Sequence, residues 1–342
     1  DPQGSIQATY DAAYKALSAI KGSNKFGNYE FILNAGDMVD NGKNYRQWGF
    51  ALDTMVEFYA NTSMFQAAGN HENGSDAFRK YYSYDVPEQD ITNGVYFSFD
   101  YGNAHFIILN TNDYTNGELG TEQTAWLIND LKNNDKEWTI VTLHKSLYSN
   151  GSHAYDKEVV KMREQLGKIF AEYGVDVVLM GHDHTYTSTT FVDANGNTKS
   201  IAKDANGYVI NGAGVLYMTL GTLGDKFYRY QDNEAIKDVI DAGRSIAKEL
   251  TSQTFAYFKV DGKTLEIFDC TYDETVEGNI RVFGSIKVSK VYGDVAAATE
   301  AIKVDGKPLE FGTLTVKYGK SSVSLEIGSF DGILSDGGYI KL

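Results

Sequence analysis

The chain has 342 residues, with an ordinary globular composition apart from 24 Tyr and only 3 Pro, and a net charge of −15. That length holds one large domain or two, and the acidity argues against a basic nucleic-acid surface. No apolar run approaches the roughly 18 residues needed to span a bilayer, the first residues carry no signal-peptide pattern, and a single cysteine, Cys270, excludes an intrachain disulfide or a thiolate metal cage.

The amphipathic pattern of residues 5–21, closed by Gly22, predicts a helix. Residues 30–35 predict a strand running into Gly36-Asp37. Residues 44–60 place Trp48, Leu52, Met55, Val56 and Tyr59 at helical spacing, and a strand at 64–68 runs into Gly69-Asn70-His71-Glu72. Segments 95–100 and 104–110 read as a hairpin about Tyr101-Gly102-Asn103. Residues 121–134 read as a helix with Thr121 as N-cap and Glu122 in its first turn. A strand at 138–143 ends on His144, and a helix at 156–173 leads into the apolar run 175–180 and Gly181-His182-Asp183-His184. A strand at 215–220 is capped by Gly221, and the charged stretch 233–250 reads as a solvated helix. From Phe255 the texture is all hairpin, with turns at Asp261-Gly262 and Asp305-Gly306. Strands alternating with helices, followed by a β-only tail, predict an α/β catalytic domain over 1–290 and a small β-rich module over 291–342. The alternating Val/Leu/Thr pattern around 317–327 suggests an incomplete immunoglobulin-like unit, a spacer or a surface-attachment piece.

Four strand ends carry the chemistry: Gly36-Asp37-Met38-Val39-Asp40, Gly69-Asn70-His71-Glu72, His144, and Gly181-His182-Asp183-His184. In α/β sheets the loops that build sites converge at the carboxyl ends of strands. A glycine ahead of a ligand lets the backbone turn sharply and come close to an ion. The donors are oxygen and imidazole nitrogen, a set suited to manganese, iron or zinc and not to copper(I). A bridging carboxylate flanked by two such sets would hold two ions roughly 3.5–4 Å apart, which clamp a phosphoryl oxygen and bring the pKa of a bridging water towards neutrality for in-line attack on phosphorus. Taken singly, Gly-Asp-x-x-Asp is a common loop and a strand-end histidine is usually structural. The inference rests on four such features occurring in order.

These cassettes resemble the calcineurin-like metallophosphoesterase superfamily, whose pattern runs D-x-H, G-D-x-x-[DY], G-N-H-[DE], H, G-H-x-H. Segments 95–106, 123–127, 138–149 and 181–186 are similar to its purple acid phosphatase-like branch, and the likeness covers residues 1 to about 290. The resemblance implies a four-layer αββα sandwich and metal-dependent hydrolysis of phosphate esters, with phosphomonoesters favoured. Phosphodiester or nucleotide hydrolysis on the same site is the alternative. It implies that Asp37 bridges two divalent or trivalent transition-metal ions (Mn, Fe or Zn). Asn70, His144 and His182 would complete one ion, and His184 would join Asp37 at the other. The remaining ligand of the second ion would be Asp1 of Asp1-Pro2-Gln3, with Gln3 standing where the family usually has His. The strand that would deliver Asp1 is absent, so the sequence reads as a fragment of a longer protein.

Asp40 stands where the purple enzymes place the Tyr whose phenolate on ferric iron gives the colour, so a colourless site is expected. His71 is expected to stabilise charge on phosphate or protonate the leaving group. His153 lies in a loop where plant-type relatives carry a substrate-facing His, and Tyr186 and Tyr148 are expected to line the cleft. His105 reads as a packing residue, Glu72 as a helix-start carboxylate or one standing behind the ligands, and Asp183 as pointing away. The expected partner is a small phosphorylated substrate and not a long nucleic acid. The expected location is outside a bacterial cell or on its surface, with attachment through the carboxyl-terminal module. A competing reading, motivated by Gln3 and the β-only tail, is a degenerate, non-catalytic surface-binding module.

Overall fold

The structure is a computed structural model that describes residues 1–86, 94–204, 206–210 and 214–290, and the backbone of four short strands between 303 and 326. Two units are resolved, Asp1–Ser289 and Lys290–Leu342. In chain order the first unit contains α1 (Gln7–Gly22), β1 (Phe31–Asn34), α2 (Tyr45–Thr54), α3 (Val56–Tyr59), β2 (Ser63–Gln66), α4 (Ala77–Tyr81), β3 (Phe97–Tyr101) and β4 (Ala104–Ile108). It continues with the short pair β5 (Tyr114–Thr115) and β6 (Glu118–Leu119), then α5 (Thr121–Asn133), β7 (Trp138–Thr142), α6 (Lys157–Glu172), β8 (Val177–Met180) and β9 (Tyr186–Val192). It closes with β10 (Val209–Ile210), β11 (Val215–Leu220), β12 (Thr254–Asp261), β13 (Thr264–Tyr272) and β14 (Ile280–Ser289).

The central sheet has the order β3-β4-β7-β8-β11-β9. Its four middle strands are parallel, and β3 and β9 close its edges antiparallel. These middle strands are apolar on both faces because both faces are covered, as parallel sheets require. Ile107, Val141, Val178 and Tyr217 point towards Leu127 and Leu131 of α5 and Met162, Leu166 and Phe170 of α6. Their sequence neighbours Phe106, Ile140, Val177, Leu179 and Leu216 point the other way, onto Leu265, Ile267 and Val288 of the second sheet. That sheet runs β10-β14-β13-β12. Its far face packs Cys270, Phe255 and Phe268 against Ala13, Leu17 and Ile20 of α1. Helices, sheet, sheet and helix therefore stack in the four αββα layers expected, and the separate parallel pair β1-β2 sends Phe31 and Leu33 into the core between the sheets.

Three local expectations are corrected. The helix over 44–60 breaks at Met55 (φ −95°, ψ 6°) because Trp48 and Ala51 bury into one cluster while Met55 and Phe58 bury into another. Thr121 is the first helical residue and not the N-cap; Gly120 holds that position, with its N–H on the Asp113 carbonyl. The stretch 233–250 is not a helix but an irregular run with one 3₁₀ turn at Lys237–Val239. Its backbone bonds go outwards to β9: Asp241 N donates to Ser188 O at 2.8 Å and Ile246 N to Tyr186 O at 3.0 Å. Arg244 anchors it, with Nε 2.8 Å from Asp269 Oδ2 and a second nitrogen 2.9 Å from Oδ1, both residues buried. The turn at Asp261-Gly262 is present between β12 and β13, where Gly262 has φ +54°. Asp305-Gly306 lies outside the described residues. In the second unit the described backbone comprises two antiparallel pairs, β15 (Lys303–Val304) with β16 (Lys307–Pro308), and β17 (Thr313–Tyr318) with β18 (Ser321–Glu326).

His105 sits mid-strand as expected, clasped by Asp100 at 2.7 Å and Asp130 at 2.8 Å. Burial lowers its pKa, but the hydrogen bonds it donates to Asp130 and Asp100 outweigh that and hold it above the ordinary imidazole value. Its contribution to stability is therefore complete below about pH 6.5 and is lost as pH rises through the folded pKa. Denaturation midpoints should show the stability advantage over His105→Gln shrinking as pH climbs past neutrality. Arg244→Met should cost roughly 3–5 kcal/mol, because it strands the Asp269 carboxylate, and the double variant Arg244→Met/Asp269→Leu should recover much of that loss in chemical denaturation.

Candidate metal centre

Strand β1 ends at Asn34, and the next turn carries Asp37 back over the ends of β7 and β8. Gly36 makes this possible: with φ +100°, a Cβ there would lie 2.3 Å from His144 Nδ1. Asp37 itself adopts φ +45° and His182 φ +69°, a conformation that costs a non-glycine residue about 1–3 kcal/mol and persists only where the surroundings enforce it. Glu72 supplies much of that enforcement. Its fully buried carboxylate accepts the N–H groups of Asp37 at 3.0 Å, Val39 at 3.2 Å and Gly69 at 2.8 Å. Burial, with Asp37 adding to it, pushes the Glu72 carboxyl up to about 7. Glu72 therefore stands behind the ligands, and no helix begins at it.

Asp37, His144 and His182 place ligand atoms within 4.8 Å of one another. His144 Nε2 lies 3.2 Å from Asp37 Oδ2 and 2.8 Å from Asn70 Oδ1. The other ring nitrogen is committed: Nδ1 lies 2.8 Å from the Ala35 carbonyl, which can only accept. With Nδ1 spent on that carbonyl, Nε2 is the ring atom turned towards the Asp37 and Asn70 oxygens. His184 repeats the pattern, with Nδ1 donating to the Lys226 carbonyl and Nε2 3.1 Å from Asp1 Oδ1. Asp1 joins the two groups. Its Oδ2 accepts the His182 N–H at 2.7 Å and lies 3.9 Å from His144 Nδ1.

The charge states agree with this geometry. Burial, aided by the neighbouring His144, His153 and Lys145, drives His182 well below the usual imidazole range, and burial brings His184 down to about 4. Burial opposes ionisation of Asp37, but His144 and His71 outweigh it and hold the carboxyl below its ordinary value. Imidazoles kept neutral at His182 and His184, an ionised carboxylate and an amide oxygen facing one another are what a hard-to-borderline cation requires. The residues present fit such an ion.

Around this group, the His71 N–H donates to Asp37 Oδ1 at 2.9 Å, its Nδ1 donates to the Asp40 carbonyl, and its Nε2 meets the Gln3 side-chain amide. The Asp40 carboxylate lies 3.8 Å from His71 and 3.9 Å from Lys226 Nζ. The His153 ring packs 4.1 Å from His182, with its Nδ1 2.8 Å from Asp156. Asp183 turns away and accepts from Ser146 Oγ at 2.9 Å and from the His153 N–H at 3.2 Å. The two cleft tyrosines are corrected. Tyr186 is fully buried with its hydroxyl on Asp269 at 2.7 Å, and Tyr148 packs on Tyr217 at 4.5 Å inside the helix-side core.

The sequence reading missed Tyr228, which stacks on His184 at 4.4 Å and 9° and directs its hydroxyl to Gln3 Oε1 at 3.5 Å. Its loop follows β11 and Gly221, which has φ +73°. This fifth strand end, the fourth followed by a glycine, was visible in the sequence but carried no Asp, Asn or His within three residues of that glycine.

A four-layer αββα fold with an oxygen–imidazole cluster at its strand ends defines a metallophosphoesterase-type protein. The family model described as "Calcineurin-like phosphoesterase" matches residues 4–186, and the chain belongs to that family. It is 34% identical over 120 residues to probable purple acid phosphatase 20 of Arabidopsis thaliana, covering 34% of this chain and 28% of that protein. It is 30% identical over 168 residues to purple acid phosphatase 23 of the same plant, covering 46% and 33%. The chain thus spans about a third of the length of these curated relatives. Among solved structures, a purple acid phosphatase from yellow lupin (Lupinus luteus) seeds superposes with TM-score 0.63 at 19% identity, over 85% of this chain and 50% of that one. PhoD superposes with TM-score 0.55 at 16% identity, over 84% and 70%. Both likenesses concern the fold.

If the cluster holds an ion, manganese or zinc at a hundredfold excess over Kd should stabilise the protein by about 2.7 kcal/mol. His182→Ala and His184→Ala should abolish that shift in thermal melts, whereas Tyr186→Phe should keep it.

Proposed function

We propose that the chain hydrolyses small phosphate esters, monoesters in preference to diesters, with two transition-metal ions held by Asp1, Asp37, Asn70, His144, His182 and His184. The observation that carries this reading is the convergence of His144 Nε2 and His184 Nε2 on the oxygens of Asp37, Asn70 and Asp1 at 2.8–3.2 Å, with each ring's Nδ1 spent on a backbone carbonyl. When bound, such ions supply Lewis acidity and a water that ionises near neutral pH. The protein's own contributions are positional. Glu72 and the positive-φ turns fix Asp37, Asp1 holds the His182 backbone, and burial keeps His182 and His184 unprotonated. His71 and His153 flank the cluster as the side chains able to meet a phosphate oxygen or a departing alkoxide. Lys145, buried with its Nζ 3.1 Å from Glu158, adds positive potential beside His144.

The net charge of −15 favours a small substrate over a long nucleic acid, since the acidic surface repels a polyanion away from the cluster. Export and cell-surface attachment through the second unit remain part of the proposal. Among the described residues no helix is long and apolar enough to cross a membrane. The non-catalytic reading draws on one contact, the Gln3 amide against His71 Nε2, which occupies the nitrogen expected to act on substrate.

The manganese-loaded protein should hydrolyse p-nitrophenyl phosphate with a kcat/KM above that for bis(p-nitrophenyl) phosphate, and it should be colourless. His182→Ala/His184→Ala should lose at least a hundredfold in kcat. A wild-type rate no greater than that of the double variant on either ester would overturn the enzyme reading, and metal uptake without turnover would identify the binding module.

A further inference from the structure

Beside the metal centre lies a shallow pocket of about 390 Å³ whose polar lining is Ser152, His153, Tyr228, Arg229, Gln231 and Glu249. Two of these, His153 and Tyr228, are the residues packed on His182 and His184. Pocket and centre therefore share a wall, formed by His153 and Tyr228. The pocket is preformed, because the two loops that build it are bonded to each other. Gln231 N donates to Asn150 O at 2.7 Å, and the Tyr155 hydroxyl donates to Asp232 O at 3.0 Å.

We propose that this pocket receives the leaving alcohol and selects a polyhydroxylated, otherwise uncharged one, so that the substrate class is a sugar or polyol monophosphate. The inference rests on the phosphoesterase reading above. Its basis is the balance of donors and acceptors. Arg229, exposed and without an ion pair among the described residues, offers only donors, and Glu249 only acceptors. Gln231 and Ser152 offer both. Hydroxyl groups both donate and accept, so a polyol can satisfy all four at once. Arg229 and Glu249 leave the pocket without net charge, so a second phosphate on the leaving group meets repulsion from Glu249 to offset what it gains at Arg229, within an already acidic protein. An aromatic leaving group could pack on Phe227 but would cover Glu249 and Gln231 without offering them partners, and one face of Tyr228 is already taken by His184. The volume suits a single monosaccharide and falls in the range of small-molecule sites. In the reaction the oxygen of one water bonds to phosphorus, the ester P–O bond breaks and a proton passes to the departing alkoxide. The products are the free polyol and inorganic phosphate.

The test compares hexose 6-phosphate, hexose 1,6-bisphosphate and p-nitrophenyl phosphate on the manganese-loaded wild type, Glu249→Ala and Gln231→Ala. The ratio of kcat/KM for hexose 6-phosphate to that for p-nitrophenyl phosphate should fall about tenfold in each variant, through KM. The bisphosphate should be the poorer sugar substrate of the wild type and should gain in Glu249→Ala. A ratio unchanged in both variants overturns the proposal. Absence of wild-type turnover on every ester removes the phosphoesterase reading instead. Calorimetric binding of hexose 6-phosphate against inorganic phosphate then decides the pocket, and undiminished hexose phosphate affinity in Glu249→Ala overturns it.

Discussion

One buried carboxylate, accepting three backbone N–H groups, holds the centre in place. Glu72 ties the turn after β1, at Asp37 and Val39, to the turn after β2, at Gly69. Neither turn can relax without stranding a fully desolvated carboxylate, which costs several times what an ordinary hydrogen bond contributes. That constraint lets Asp37 keep a left-handed backbone, and the adjoining His71 N–H closes the circle by donating to Asp37 Oδ1. Each later contact, from His144 on Asn70 to Asp1 on His184, presupposes that Asp37 and Asn70 are where Glu72 puts them.

The cluster gathers buried carboxylates, an amide oxygen and imidazole edges into one small volume. Asp1 and Asp37 are almost fully buried and lie among imidazoles whose second nitrogens are committed to the Ala35 and Lys226 carbonyls. Low dielectric magnifies repulsion between such acceptors as much as it magnifies attraction to a cation. A positive ion would satisfy all of them at once, and in a protein of net charge −15 it would also supply a local field of the opposite sign. The glycines of the cassettes serve this convergence in a specific way. A Cβ on Gly69 would lie 2.0 Å from Asp37 Oδ1, so the glycine is what allows one ligand loop to close on the next.

The wall over the centre is built by a segment without regular structure. Residues between β11 and β12 carry Tyr228 onto His184 and place Lys226 so that its carbonyl orients the same ring. The segment is held by side chains and by its edge bonds to β9. Arg244 reaches Asp269, which also receives the Tyr186 hydroxyl, and Thr222 Oγ1 donates to the Asp1 carbonyl at 2.6 Å. Tyr186, expected beside the substrate, is thus used between the two sheets to pin the loop that bears a different tyrosine.

The strands and the main helices of the first unit were legible because each has one dominant period: two for Phe106-Ile107 and Val177-Val178, and 3.6 for Leu127 and Leu131. The ligand types were legible because they follow strands and glycines in order. The irregular course of 233–250 was not, because its charged residues scan like a solvated helix while Arg244 pairs with a residue 25 positions later in the chain. For the same reason Tyr186 could not be told from a cleft residue, since a strand neighbour of His184 points to either face according to a twist that sequence does not state. The sequence by itself determined which donors exist and the strand ends that carry them, because residue type and local period are local properties. Only the tertiary structure decided which donors meet, where their second nitrogens are spent and which aromatic ring covers them, because those outcomes depend on contacts between segments far apart in the chain.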